Sequence, residues 1–134
     1  MRASGPLPGT ALQVGERSIP MRLLTRAILV LIPLNCDCGA TVARLADQAT
    51  RTGANAYLIA APGATTQVRQ LAAQLPKYPG SHAKVASDLA GSLRSSYPHT
   101  GLTAILVGPH GSVSYATQLQ PTDDLTGLTR ALGG

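Results

Sequence analysis

The stretch that decides the fold is AILVLIPLNCDCGATVARL, residues 27–45. It begins with a continuous apolar run, typical of a strand that is buried on both faces of a sheet, and Pro33 ends that run. From Gly39 the apolar residues follow the period of an amphipathic helix. The two cysteines of the chain, Cys36 and Cys38, lie between these elements. The sequence therefore predicts a strand-to-helix junction that carries a pair of thiols.

Length and composition predict one globular domain. The chain has 134 residues, enough to bury a core without disulfide staples. Hydrophobic residues make up 44% of it and charged residues 13%, which excludes an intrinsically disordered chain. We expect residues 1–9, with two prolines, to form a flexible N-terminal segment, and residues 10–134 to form a single domain.

The net charge of +5 raises the question of a nucleic-acid partner. The arginines are scattered singly from Arg2 to Arg130 and form no cluster, and the aromatic residues are limited to four tyrosines. A nucleic-acid surface needs clustered cations and, for single strands, aromatic stacking platforms. We therefore expect no nucleic-acid partner.

The sequence also bears on membranes and localisation. The longest apolar run, residues 27–34, is shorter than the roughly 18 to 20 residues of a membrane span. Residues 1–18 contain no apolar core of the kind that a secretory signal has. We expect a cytoplasmic protein by default, or an extracytoplasmic one if the chain is a soluble piece of an anchored protein.

The remaining patterns give the order of elements as β-β-β-α-β-α-β-α-β-β-α. Strands are predicted in TALQV (10–14), RSIPMRLL (17–24), RAILVLIP (26–33), NAYLIAAP (55–62), AKVAS (83–87), LTAILVG (102–108) and SVSYATQL (112–119). Helices are predicted from Gly39 to about Thr52, from Thr65 or Thr66 to Leu75, after Asp88, and after Thr122. Strands separated by helices imply parallel crossovers, and a closing hairpin makes the sheet mixed.

This order, with cysteines at the first strand-to-helix junction, resembles the thioredoxin-like superfamily, in its TlpA and AhpC/TSA (peroxiredoxin-like) branch. Two segments carry the resemblance: GERSIPMRLLTRAILVLIPLNCDC (15–38) and HAKVASDLAGSLRSSYPHTGLTAILVGPHGSVSYATQ (82–118). The resemblance implies an α/β thioredoxin-like sandwich, in which helices flank a central mixed sheet that starts with a β-hairpin. It also implies thiol–disulfide exchange with a protein or a low-molecular-weight thiol or disulfide, and no cofactor.

The chain departs from the family pattern at two places. The family's usual motif is Cys-X-X-Cys, whereas this chain has Cys36-Asp37-Cys38. Leu102 stands where the family has a cis-proline, so we expect a trans peptide bond there. By the resemblance, Leu102, Thr103 and His99 would lie in the substrate groove beside the cysteines.

The chemistry of the pair follows from its place before a helix. The unpaired N–H groups and positive dipole of a helix N-terminus stabilise a thiolate and lower a thiol pKa, whereas the carboxylate of Asp37 acts in the opposite sense. By analogy with the family's N-terminal nucleophile we assign the attacking thiol to Cys36. Cys38 would then resolve the mixed disulfide.

Two alternatives stay open, so the sequence does not decide whether the chain is an enzyme. One is a thioredoxin-like binding module without catalysis, or the soluble domain of a membrane protein. The other is a Cu(I) site of the kind found in Sco-type proteins, with Cys36, Cys38 and His99 as ligands, because two thiolates and an imidazole suit soft ions.

Overall fold

The structure is a computed structural model of the chain. It describes residues 2–4, 11–14, 16–20, 24–33, 39–51, 53–60, 65–74, 83–87, 101–108 and 113–116. These residues form one mixed sheet and two helices.

From residue 11 onward, the elements follow the predicted order wherever the structure describes them. The strands are β1 Arg2–Ser4, β2 Ala11–Val14, β3 Arg17–Pro20, β4 Ala27–Ile32, β5 Asn55–Ala60, β6 Ala83–Ser87, β7 Thr103–Val107 and β8 Val113–Ala116. The helices are α1 Gly39–Arg51 and α2 Thr65–Gln74. The helices predicted after Asp88 and after Thr122 lie outside the described residues.

The first strand was not predicted from the sequence. Arg2–Ser4 pairs antiparallel with β8, although the sequence placed these residues in a flexible N-terminal segment. A strand of three residues is too short to show an alternating pattern, so it forms only because a neighbouring strand offers its edge. The single domain over residues 10–134 stays a prediction.

All eight strands belong to one sheet with the order β1-β8-β7-β4-β5-β6-β2-β3. Strands β4, β5 and β6 are parallel neighbours, and helices α1 and α2 connect them in sequence. Strand β7 runs antiparallel beside β4, and β2 runs antiparallel beside β6. The apolar run of residues 27–32 therefore forms a central strand, which explains why all six of its residues are buried.

Helices α1 and α2 pack against the same face of the sheet. Their buried residues join alternate residues of β4, β5 and β7 in one core cluster. The helix residues in this cluster are Val42, Leu45, Ala46, Ala49 and Val68. The spacing of the first four along α1 is the one that the sequence pattern predicted for a helix face.

A second core cluster lies on the opposite face of the sheet. It consists of the other alternate residues of β4, β5 and β7, together with Leu12 of β2, Leu24, Ala86 of β6 and Val113 of β8. Tyr57 belongs to this cluster and is 5% exposed. Both faces of the central strands are therefore covered, as their unbroken apolar sequence predicts.

Candidate active site

The fold fixes both ends of the segment that carries the cysteines. Central strand β4 ends at Ile32, and α1 begins at Gly39. Cys36, Asp37 and Cys38 belong to the intervening residues 34–38, which lie outside the described part of the chain, as does His99. The site is consequently defined by the residues that surround this connection.

The start of β7 lies beside the end of β4. The two strands are antiparallel, and Thr103 pairs with Leu31, one residue before β4 ends. The stretch that precedes β7 therefore reaches the same edge of the sheet as the connection between β4 and α1. By the resemblance, Leu102 and Thr103 would lie in a substrate groove beside the cysteines, and that role stays a prediction.

Residues 101–103 differ in exposure. The side chain of Leu102 is 3% exposed and belongs to the core cluster of α1 and α2, and Thr103 is fully buried. Gly101 is exposed and has a φ of 67°, in the left-handed region that favours glycine. The peptide bond between Gly101 and Leu102 is trans. A role for Leu102 and Thr103 in a substrate groove stays a prediction, and in this conformation only Gly101 of the three faces solvent.

Helix α1 presents its N-terminus to the connection that carries the thiols. It is 13 residues long, and its first turn contains no acidic residue. The first N–H groups of a helix have no partner within the helix and carry a partial positive charge. Such an end stabilises an anion placed before it, and a thiolate is one such anion.

Two buried hydroxyl groups lie near this edge of the sheet. Thr41 is in the first turn of α1 and Thr103 is at the start of β7, and they are 1% and 0% exposed. Within the described part of the chain, neither Oγ1 atom has a hydrogen-bond partner. A buried hydroxyl without a partner is destabilising, because it loses its hydrogen bonds with water.

Helix α2 contacts both flanks of the connection. The Nε2 atom of Gln67 donates a hydrogen bond of 3.4 Å to the carbonyl oxygen of Pro33. The Cδ2 atom of Leu71 lies 3.4 Å from the place that a Cβ on Gly39 would take. Residues 67 and 71 are one helical turn apart, so the same face of α2 contacts Pro33 and Gly39, the two residues that flank residues 34–38.

The sequence did not indicate this role of Gln67. The residue precedes the buried Val68 in a helix that contains several other polar residues, and nothing in the sequence distinguishes it from them. Its partner is a backbone carbonyl 34 residues away along the chain. A side chain-to-backbone contact over such a separation leaves no local pattern, and only the packing of α2 beside the end of β4 creates it.

The described residues contain no group of three or more side chains suited to holding a metal ion. The proposed Cu(I) ligands Cys36, Cys38 and His99 lie outside these residues. Within the same described ranges, neither helix has the length and apolar character needed to cross a bilayer.

Comparison of the sequence with protein-family models and with curated proteins gave no match. The structure, however, is similar to solved structures. One, from Chlorobium tepidum, is assigned as a thiol:disulfide interchange protein DsbE; its TM-score is 0.70 at 17% identity, over 98% of this chain and 94% of that one. Another is a secreted Mycobacterium tuberculosis disulfide oxidoreductase homologous to E. coli DsbE, with a TM-score of 0.66 at 16% identity, over 92% of this chain and 96% of that one.

At these identities the similarity establishes the fold. It covers nearly the whole length of both partners in each comparison. The predicted α/β class, with a central mixed sheet and its N-terminal hairpin of β2 and β3, is confirmed. The chain has a thioredoxin-like fold.

Proposed function

We propose that the protein is a thiol–disulfide oxidoreductase that uses Cys36 and Cys38. One observation carries this proposal: the chain's two cysteines fall between the end of central strand β4 and the N-terminus of α1, in a thioredoxin-like fold. Of the two similar structures described above, one is assigned as a thiol:disulfide interchange protein and the other is a disulfide oxidoreductase. The N–H groups that begin α1 supply the stabilisation that a reactive thiolate needs.

The reaction follows from this placement. The thiolate of Cys36 attacks one sulfur of a substrate disulfide and forms a mixed disulfide, and the other substrate sulfur leaves as a thiolate and takes up a proton. Cys38 then loses its proton and attacks the sulfur of Cys36. The second substrate thiol leaves, the protein pair is oxidised to a disulfide, and the substrate disulfide is reduced to two thiols.

The substrate is a protein disulfide or a low-molecular-weight disulfide, and the reverse reaction oxidises the corresponding thiols. The assignment to the TlpA and AhpC/TSA branch belongs to this proposal and is supported by the hairpin of β2 and β3 before β4. It rests further on the sequence pattern of residues 15–38.

Insulin reduction with dithiothreitol as the electron donor tests the proposal. We expect the wild-type protein to accelerate the reaction and the Cys36→Ser variant to lose the acceleration. The Cys38→Ser variant should accumulate a mixed disulfide at Cys36, seen by mass spectrometry under non-reducing conditions. A folded wild-type protein without reductase or oxidase activity would instead indicate a binding module.

A separate titration addresses the metal alternative. Cu(I) is added in competition with a chromophoric chelator to the wild type and to the Cys36→Ser and His99→Ala variants. An affinity that is the same in all three proteins excludes a site formed by these residues. A large loss of affinity in both variants would favour a copper protein over an oxidoreductase.

A further inference from the structure

Helix α2 contacts the residue before the cysteine segment and the residue after it. Gln67 donates its hydrogen bond to the Pro33 carbonyl, immediately before residues 34–38, and Leu71 packs beside Gly39, immediately after them. We infer that Gln67 is a positioning residue: by fixing the Pro33 carbonyl, where the cysteine segment begins, it favours closure of a disulfide between Cys36 and Cys38. This inference rests on the proposed function and deepens it, because it adds a residue outside the cysteine motif.

The geometry of α2 makes it a suitable support. Residues four apart on a helix lie on one face, about 5 to 6 Å apart between their Cβ atoms. Between Gln67 and Leu71 the helix is anchored by Val68, which is fully buried in the core. Both flanking residues, Pro33 and Gly39, therefore contact the same helix, and that helix is packed on the sheet.

The contact between Gln67 and Pro33 should affect the equilibrium between the dithiol and disulfide forms of Cys36 and Cys38. In exchange with glutathione disulfide, a sulfur–sulfur bond forms between Cys36 and Cys38 while that of glutathione breaks. The two protons of the cysteine thiols end on two glutathione thiols. Closing the intramolecular bond depends on the effective concentration of one thiol at the other, which restriction of the intervening chain raises. Removing the anchor at Pro33 gives the dithiol more conformations and so lowers this concentration.

The experiment compares one substitution at two positions of α2. Gln67→Met keeps the length of the side chain and removes the N–H donor. Gln70→Met is the matched control, because Gln70 lies on the same helix and is exposed. Each protein is equilibrated with glutathione buffers, alkylated, and analysed for the fraction of disulfide.

We expect Gln67→Met to lower the equilibrium constant for disulfide formation about fivefold, which corresponds to a reduction potential about 20 mV less negative. Gln70→Met should leave this constant unchanged, and Gln67→Lys, which restores an N–H donor, should recover part of the loss. Equal constants in the wild type and Gln67→Met overturn the inference. So does an equal shift in Gln70→Met.

Hydrogen exchange separates this inference from the proposed function. In the reduced protein, Gln67→Met should speed amide exchange of residues 34–40 several-fold, whereas Gln70→Met should not. If the wild type forms no disulfide in any buffer, the proposed function fails, and the exchange rates alone then decide the positioning role. Exchange in Gln67→Met that matches the wild type overturns that role in either case.

Discussion

Leu71 of α2 and Gly39 of α1 are close neighbours: the Cδ2 atom of Leu71 lies 3.4 Å from the position that a Cβ on Gly39 would occupy. Gly39 is the first residue of α1 and has no positive φ. Its backbone conformation is therefore open to any residue. What limits substitution at this position is the space in front of Leu71.

The first prediction follows for Gly39→Ala. Alanine is favoured over glycine in a helix by up to about 1 kcal/mol, and its single methyl group reaches ordinary contact with Leu71. We expect the free energy of unfolding to rise by up to about 1 kcal/mol, measured by urea-induced unfolding. Gly39→Leu should instead destabilise the protein by about 1 to 3 kcal/mol, because its further atoms overpack against α2.

Gly53 provides the matched control for this prediction. It follows α1 and has a φ of 74°, and a Cβ there would meet no atom of the described ranges within 4 Å. Gly53→Ala should cost about 1 to 2 kcal/mol through backbone strain alone, although space is available. If alanine is tolerated equally well at both positions, the distinction between contact and backbone conformation is wrong.

The second prediction concerns the buried hydroxyl groups of Thr41 and Thr103, whose Oγ1 atoms have no partner among the residues that the structure describes. Valine has the same shape and no hydroxyl group, so each Thr→Val substitution removes the desolvation penalty of an unpaired polar atom. We expect each variant to be more stable by about 1 kcal/mol in chemical unfolding, from the 1 to 3 kcal/mol range of such penalties. Thr→Ser, which keeps the hydroxyl group and removes a buried methyl group, should be less stable than the wild type.

Stability loss in both valine variants would show that these hydroxyl groups have partners in solution. An ordered water molecule is the simplest such partner, since a buried water commonly bonds to polar groups that lack other partners. If only one of the two sites holds such a water molecule, the two valine variants should instead change stability in opposite directions.

The sequence predicted those elements whose signal is local. The apolar run of β4 and the helical stripe of α1 depend on residues a few positions apart, and both were placed within one residue of their observed ends. Strand β6 was predicted with its observed ends, Ala83 and Ser87. In each case burial on a sheet or helix face imposes a period that a short window of sequence can show.

Features that depend on distant partners were not predictable in this way. Strand β1 forms because Arg2–Ser4 pairs with the edge of β8, and a sequence of three residues is too short to predict that pairing. The contact between Gln67 and Pro33 likewise arises from how α2 packs. At the candidate site, the chemistry of Cys36 and Cys38 came from spacing and resemblance and stays a prediction.

The third prediction concerns Arg26, an exposed residue with a φ of 48° just before β4. Its N–H donates to the carbonyl oxygen of Gly108 at 3.3 Å, and its carbonyl oxygen accepts from the N–H of Asn55 at 2.9 Å. These bonds tie the start of β4 to β5 and β7. They hold the arginine in the left-handed conformation, which costs a non-glycine residue about 1 to 2 kcal/mol.

Substitutions at Arg26 should therefore rank by how readily each residue adopts this conformation. We expect thermal unfolding temperatures in the order glycine, then asparagine, then alanine, then valine, because valine is β-branched and asparagine is enriched in the left-handed region. Arg26→Gly should change stability by no more than about 1 kcal/mol, since the relief of strain is offset by the greater freedom of the unfolded chain. A valine variant as stable as the glycine variant would contradict the ranking.

The fourth prediction concerns alkaline pH. Burial on the face opposite α1 and α2 raises the pKa of Tyr57 above its usual value of 10.0. Between the unfolded and folded pKa values the folded protein binds more protons than the unfolded chain, so the free energy of unfolding falls as pH rises. The contribution of Tyr57 is complete below about pH 10 and is lost above it.

Tyr57→Phe isolates this contribution, because phenylalanine does not titrate and both proteins share every other ionisable group. Urea-induced unfolding of both proteins is followed from pH 8 to pH 11. The difference in unfolding free energy between them should stay constant up to about pH 9.5 and then shift in favour of the variant, since only the wild type must then bury or neutralise a phenolate. Two stability curves that stay parallel to pH 11 would mean that the Tyr57 hydroxyl group is as well solvated in the folded protein as in the unfolded chain.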